Sequence, residues 1–142
     1  MAEPIWTFWE FQTLGGRGVI DKWAFKEIEM AAEIEFNALL RTLAVTPREQ
    51  WVRPDYARFD PEIGEIRFFA NSLQHRVFGF FLLEAKQYVM LVGATKKGRI
   101  YNPRDAEETA RSRKKLIIPA HSVIPDRSQI REYTGHRLKS TR

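Results

Sequence analysis

The chain has 142 residues, of which 44% are apolar and 13% aromatic, so it is long enough for one folded domain with a buried core. It contains no cysteine, which excludes disulfides, zinc–thiolate sites and thiol catalysis. No apolar run approaches the roughly 20 residues of a membrane span. The first eleven residues lack the basic start and apolar centre of a signal peptide, so a cytoplasmic location is expected.

The net charge of +5 is unevenly distributed along the chain. Residues 1–95 carry 10 Lys or Arg and 13 Asp or Glu, a net of −3, whereas residues 96–142 carry 13 and 5, a net of +8. A cationic C-terminal third is typical of a protein that binds a polyanion. An exposed helix followed by a solvated tail has the same composition, and composition alone favours that second interpretation.

The N-terminal half predicts one strand followed by helix. Weak alternation over residues 5–11 predicts a strand, and the glycine-rich residues 14–18 predict a break that is not a P-loop, because the Gly-Lys-Ser/Thr ending is absent. Apolar residues three and four apart over residues 19–44 predict one long helix or two helices in a hairpin. Glutamates between residues 27 and 35 make the outer side of this helical segment acidic.

The second half predicts a three-stranded meander and a helix. The predicted strands cover residues 65–70, 75–83 and 88–95, and the predicted helix runs from Asn102-Pro103 to about Lys115. This order of elements predicts an α+β domain whose small antiparallel sheet comprises the N-terminal strand and the meander. The sheet is expected to pack on the N-terminal helices, with a C-terminal helix following and the other sheet face partly open.

Two arginines are predicted to be neighbours on that open face. Arg67 and Arg76 lie on strands joined by a turn at residues 71–72, so a register centred on the turn makes them cross-strand partners. Arg67 alone is equally well explained as a surface residue paired with a nearby glutamate, whereas a charge inside an apolar strand is seldom free. His75 precedes Arg76 and therefore points to the opposite face, which predicts a structural histidine.

The strand over residues 88–95 leads directly into a cationic turn, and a tyrosine and a helix start follow. Cationic donors bind RNA phosphates and stabilise extra negative charge on a pentacoordinate phosphate. Metal-free RNA cleavage also needs a base for the 2′-OH proton and an acid for the 5′-oxygen, roles that Lys, Tyr and Arg can share. The candidate catalytic residues are Arg67, Arg76, Lys96, Lys97 and Tyr101, and the candidate RNA-binding residues are Arg99 and Arg104.

Other signals are weaker. His121 and His136 lie too far apart in sequence for a local metal motif, so no metal is predicted. The carboxylates of residues 55–65 have loop-like spacing and do not predict a catalytic pair. Aromatic residues between 51 and 69 could stack on bases, but a flap of the core over the sheet edge is the simpler interpretation.

The order and spacing of several short segments carry a family resemblance. The segments are Glu65-Ile66-Arg67-Phe68, His75-Arg76-Val77-Phe78-Gly79-Phe80 and Leu91-Val92-Gly93-Ala94-Thr95-Lys96-Lys97, with an early Gly18 before a helix start and a Pro-initiated helix from Pro103 to Ala110. Together they resemble the phage-derived branch of the RelE/HigB toxin superfamily. The resemblance covers about residues 6–116, and no single motif in it is specific.

The resemblance implies the toxin of a type II toxin–antitoxin system, with a RelE/ParE-like fold over residues 1–116 and a basic, partly disordered extension over residues 117–142. Such toxins are metal-independent endoribonucleases that cut mRNA on the ribosome. The implied partners are mRNA, the ribosome and a cognate antitoxin, a small helix-turn-helix protein encoded nearby, with no cofactor and no membrane.

By position, Arg67, Arg76, Lys96 and Lys97 match the family's basic site residues, and Tyr101 lies near an aromatic residue of many members. Ala94 and Thr95 depart from the bulkier or basic residues of relatives, and Glu65 is acidic where some relatives have a base.

Two other functions stay open at this point. A non-catalytic member of the fold, as in the ParE branch, would inhibit a protein target such as DNA gyrase. A phage regulator would use the cationic turn only to bind nucleic acid. The paired arginines and the lysine pair favour the endoribonuclease.

Overall fold

The computed structural model describes residues 3–59, 61–120 and 122–135, so Asp60, His121 and His136 lie outside the described residues. Seven strands and three α-helices occur within these ranges, with one π-helical turn at Trp23–Glu27 and 3-10 turns at Arg48–Gln50 and Arg127–Gln129. The elements are β1 (Thr7–Phe11), α1 (Val19–Lys22), α2 (Met30–Ala44), β2 (Tyr56–Arg58), β3 (Gly64–Ala70), β4 (Leu73–Leu82), β5 (Gln87–Lys97), β6 (Ile100–Asn102), α3 (Ala106–Ile117) and β7 (Ile130–Glu132).

All seven strands belong to one mixed sheet, in which six follow the order β2-β3-β4-β5-β1-β7 and β6 pairs with β5 outside this order. Strands β2 to β5 pair antiparallel, β1 runs parallel to β5, and β7 pairs antiparallel with β1. β1 lies beside residues 87–90 of β5, and β6 lies beside residues 95–97. Strand β5 therefore changes its partner along its length.

The α+β class predicted from the sequence is confirmed, but the sheet is larger than predicted. Strands β2, β6 and β7 were not predicted as strands, and each has only three residues. Such segments are too short to show alternation, and their strand character comes from pairing with longer neighbours. β7 lies within the predicted extension and pairs with β1.

The predicted helical segment between residues 19 and 44 consists of two helices. α1 continues into the π-helical turn, and the backbone becomes extended at Ile28 and Glu29 before α2 begins. The ring of Trp23 contacts that of Phe36 on α2, with centroids 5.6 Å apart. The break between the two helices contains no Gly or Pro. It coincides instead with the packing of Trp23 against Phe36.

A hydrophobic core lies on each face of the sheet. On one face, Trp23 and Phe36 pack with Ile66 and Val77 of the sheet. On the other, the small residues Ala106 and Ala110 of α3 pack close to strand side chains, among them Phe78, Leu91 and Val92. The alanines of α3 therefore let it cover part of the face that was expected to be partly open. No α-helix among the described residues has the length and apolar character that crossing a bilayer requires.

Candidate functional site

The hairpin of β3 and β4 places the two predicted arginines side by side. Asn71 and Ser72 have φ angles of 55° and 62° and form the tight turn between the strands. The resulting register pairs Arg67 directly with Arg76. The cross-strand relationship predicted from the sequence is thus confirmed.

The same sheet face receives Lys96 and Tyr101. Gln74, two residues before Arg76, lies opposite Lys96 on β5, and Lys96 lies opposite Tyr101 on β6. Cross-strand partners share a face, as do residues two apart along a strand. Four predicted catalytic residues, Arg67, Arg76, Lys96 and Tyr101, therefore share one face.

Glu65 joins these side chains and is only 1% exposed. Its Oε1 lies 2.7 Å from Nη2 and 2.9 Å from Nε of Arg67, and 3.6 Å from Nε of Arg76. Its Oε2 accepts a 2.9 Å hydrogen bond from the hydroxyl of Tyr101. We call Glu65, Arg67, Arg76, Lys96 and Tyr101 the Glu65 cluster.

The burial of Glu65 was not predicted from the sequence. Alternation placed Glu65 on the face of Arg67, but that face was expected to be open to solvent. The alternative in which Arg67 pairs with a nearby glutamate is confirmed. A buried carboxylate needs such compensation, because an unpaired charge in a protein interior is costly.

The guanidinium of Arg76 is held in a fixed orientation. Its Nη1 donates a 3.1 Å hydrogen bond to the backbone carbonyl of His75, and its Nη2 donates to Oε1 of Gln74. Burial lowers the pKa of Arg76, and the charge of Glu65 acts in the opposite direction. An arginine fixed in this way is preorganised to receive an anion.

Tyr101 is half-buried between an aromatic and a cationic neighbour. Its ring contacts that of Phe78 at 5.3 Å, and Nζ of Lys96 lies 4.8 Å from its ring centroid. Burial raises the pKa of the Tyr101 hydroxyl, and the charge and hydrogen bond of Glu65 raise it further. The hydroxyl therefore stays protonated near neutral pH.

A groove of about 640 Å³ opens beside the cluster at the β3 edge. Three arginines, Arg53, Arg67 and Arg76, contribute to its lining against two carboxylates, Glu35 and Asp55. Phe69 also lines it and is 67% exposed. Such a groove suits a single-stranded nucleic acid, because cations bind its phosphates and an exposed aromatic ring stacks on its bases. Arg53 was not among the predicted site residues, because its place depends on the path of the loop before β2.

The other predicted basic residues lie outside the cluster. Lys97 is exposed and pairs with Ile100, on the face opposite Lys96 because consecutive residues of a strand alternate. Arg99 is exposed beside Gly98 in the β5–β6 turn, and Arg104 is exposed just before α3. The cationic turn is therefore a hairpin that divides its side chains between two faces.

His75 is a core residue on the other face of the sheet, as predicted. Its ring stacks on Phe68 with centroids 4.7 Å apart and an interplanar angle of 6°. Burial lowers the pKa of His75, which favours the neutral imidazole. In the part of the chain that the structure describes, no three His, Asp or Glu side chains group as a metal site would require.

Comparisons of the chain with protein-family models, curated proteins and solved structures found no match.

Proposed function

We propose that this protein is a metal-independent endoribonuclease, the toxin of a type II toxin–antitoxin pair, that cuts mRNA on the ribosome. The observation that carries the proposal is the Glu65 cluster, in which two arginines, a lysine and a tyrosine surround one buried carboxylate. The ribosomal target, the RelE/ParE-type arrangement of the α+β fold and the cognate helix-turn-helix antitoxin belong to the same proposal and are supported by the resemblance of the sequence segments to that superfamily.

Under this proposal the two arginines bind the scissile phosphate. Arg67 and Arg76 are cross-strand partners, and both line the groove beside the cluster. Charge on the phosphate rises as the 2′-oxygen attacks, and donors already in place stabilise that charge without reorganising. Glu65 holds both guanidinium groups in position before the RNA arrives.

The base in this proposal is Glu65, acting through Tyr101. Glu65 is too deeply buried to contact a substrate, but the half-buried Tyr101 hydroxyl already donates a hydrogen bond to it. The 2′-OH passes its proton to the Tyr101 oxygen while the Tyr101 proton moves to Glu65. A hydroxyl that stays protonated near neutral pH is the form that this relay needs.

Lys96 supplies the acid. Its ammonium group lies against the Tyr101 ring, where it can donate a proton to the departing 5′-oxygen. The 2′-oxygen forms a bond to phosphorus as the bond to the 5′-oxygen breaks, giving a 2′,3′-cyclic phosphate and a 5′-hydroxyl. Glu65 then carries one extra proton and Lys96 lacks one, and exchange with water restores both.

The experiment is induced expression of wild type, Lys96→Ala and Lys97→Ala, with transcript 5′ ends mapped in the same cultures. The two lysines are adjacent and carry the same charge, but only Lys96 lies on the face of the cluster. We expect new ends on translated messages with wild type and Lys97→Ala, and none with Lys96→Ala. Wild type that produces no new ends contradicts the proposal.

A second candidate is a regulator that binds nucleic acid without cutting it. The observation in its favour is that both oxygens of Glu65 are already engaged by Arg67 and Tyr101. RNA that co-purifies with wild type in the absence of new 5′ ends would support this candidate over the nuclease.

A further inference from the structure

A second cleft borders the sheet face opposite to that of the Glu65 cluster. It has a volume of about 690 Å³, within the range of about 300–1,000 Å³ typical of ligand pockets. Its lining residue Tyr56 pairs with Ile66, whose side chain lies on the face opposite to that of its neighbour Glu65 because side chains alternate along a strand. The two sites are therefore separate.

The wall of this cleft is built from aromatic rings. The ring centroid of Phe81 lies 4.9 Å from that of Trp6 and 4.7 Å from that of Trp51, and Trp51 contacts Tyr56 at 5.3 Å. The indole N–H groups of Trp6 and Trp51 both donate to the backbone carbonyl of Thr46, at 2.9 and 3.0 Å. These hydrogen bonds fix the indole rings in the core, where Trp6 and Trp51 are only 7% and 5% exposed and form the floor of the cleft. Phe81 is partly exposed and offers the accessible ring.

The rim of the cleft is cationic. Arg48, Arg58 and Lys86 line it and are exposed, against one lining carboxylate, Glu49. The guanidinium carbon of Arg48 lies 5.1 Å from the ring centroid of Phe81, so a cation already stacks at the mouth. Among the residues that the structure describes, Arg48 and Lys86 form no ion pair. Their charges are therefore available to an external anion.

We propose that this cleft binds a nucleotide, with the base beside Phe81 at the mouth and the phosphate on Arg48 and Lys86. Bases stack on aromatic rings and on arginine guanidinium planes, and phosphate is the anion that usually accompanies them. A smaller cavity of about 190 Å³ shares Arg48, Arg58 and Phe81 with the cleft and widens the space beside it. Both indole donors are already used, so the base is bound by its faces and with little base selectivity.

The proposal does not depend on the nuclease. The cleft shares no residue with the Glu65 cluster, and a nucleotide bound there needs no catalysis. The nucleotide is free in solution or part of an RNA strand, and the binding chemistry is the same. An RNA strand would bring further phosphates close to other cations of the protein, whereas a free nucleotide would not.

The test is titration of the purified protein with AMP, followed by tryptophan fluorescence and calorimetry. We expect saturable quenching by AMP, with adenosine and ribose 5-phosphate each binding at least about 10-fold more weakly, since each lacks one half of the ligand. Arg48→Ala and Lys86→Ala should each weaken AMP binding by about 10-fold. Lys26→Ala also removes an exposed charge, but outside the cleft, and should leave AMP binding unchanged.

The proposal would be overturned by no saturable binding of AMP at millimolar concentration, by adenosine that binds as tightly as AMP, or by wild-type affinity in both rim variants. AMP binding that is lost in Lys96→Ala would place the nucleotide at the Glu65 cluster and would overturn it as well. Hexa-adenylate that binds more tightly than AMP, and that loses this binding in Arg48→Ala, would support the site and identify RNA as the source. Equal affinities for AMP and hexa-adenylate would also support the site and would identify a free nucleotide as the source.

Discussion

The hydroxyl of Tyr101 donates a 2.9 Å hydrogen bond to the carboxylate of Glu65, across a sequence separation of 36 residues. Strands β4 and β5 lie between β3, which carries Glu65, and β6, which carries Tyr101. The contact therefore crosses the sheet face and ties the β5–β6 hairpin to a strand near the other edge. A hydrogen bond to a buried carboxylate is stronger than one between neutral groups, so it fixes the orientation of Tyr101.

Replacing Tyr101 with Phe tests the relay directly. Tyr101→Phe keeps the contact with Phe78 but removes the hydroxyl that links Glu65 to the substrate. We expect cleavage to fall by about 10²- to 10⁴-fold with RNA affinity retained, the usual contribution of general acid–base catalysis. Quantified 5′ ends and RNA binding of the same preparation check it. Cleavage at the wild-type rate would remove Tyr101 from the mechanism.

Loss of the Glu65 carboxylate should cost stability as well as activity. Glu65→Ala leaves two guanidinium groups without the charge that compensates them, and breaking a buried pair in this way typically costs about 3–5 kcal/mol. Glu84→Ala, in an exposed turn, is the control and should change the unfolding free energy by less than about 0.5 kcal/mol. Urea denaturation of the three proteins checks the difference, and equal midpoints would show that Glu65 is not needed for the fold.

The paired arginines could be predicted because the signal is local. A tight turn at residues 71–72 between two alternating strands fixes the register, and the register pairs Arg67 with Arg76. The same alternation correctly separated His75 from Arg76. Alternation along the strands is therefore enough to predict which side chains are neighbours when both lie in one hairpin.

The surroundings of that pair could not be predicted, because they depend on distant segments. Glu65 pairs with Phe78, which belongs to the core that α3 completes, and it accepts the hydrogen bond of Tyr101 on β6, a strand too short to show periodicity. The division of Lys96 and Lys97 between two faces follows from extending β5 by two residues beyond the predicted end. Because side chains alternate along a strand, each residue added to its end points to the face opposite to that of the residue before it.

The close approach of Gly93 to Trp23 gives a stability prediction with an internal control. A Cβ at Gly93 would lie 2.2 Å from the buried indole of Trp23, whereas a Cβ at Gly15 would have no atom within 4 Å. We expect Gly93→Ala to lower the unfolding free energy by about 1–3 kcal/mol, the usual cost of overpacking a core, and Gly15→Ala to leave it nearly unchanged. Thermal unfolding monitored by circular dichroism checks both. Equal melting temperatures would mean that Trp23 moves aside without cost.

Glu10 gives the fold a pH dependence that is independent of the Glu65 cluster. This buried carboxylate accepts hydrogen bonds from the backbone N–H groups of Ile20 and Asp21 at 2.7 and 2.8 Å, and Nε of Arg131 lies 3.8 Å from it. Burial raises the pKa of Glu10 from 4.5 to about 7, against the lowering effect of the two N–H groups and of Arg131. The folded state therefore binds this proton more tightly than the unfolded chain does.

Stability should consequently fall as the pH rises through this range. Below pH 4.5 Glu10 is protonated in both states, and between about 4.5 and 7 the unfolded chain loses the proton first, so the unfolding free energy decreases by up to about 3 kcal/mol. Above about pH 7 the contribution of Glu10 to the unfolding free energy no longer changes with pH. Subtracting the unfolding free energy of Glu10→Gln from that of wild type between pH 4 and 8 isolates this group. A difference that rises with pH, or stays flat throughout, would show that the hydrogen bonds and Arg131 outweigh burial.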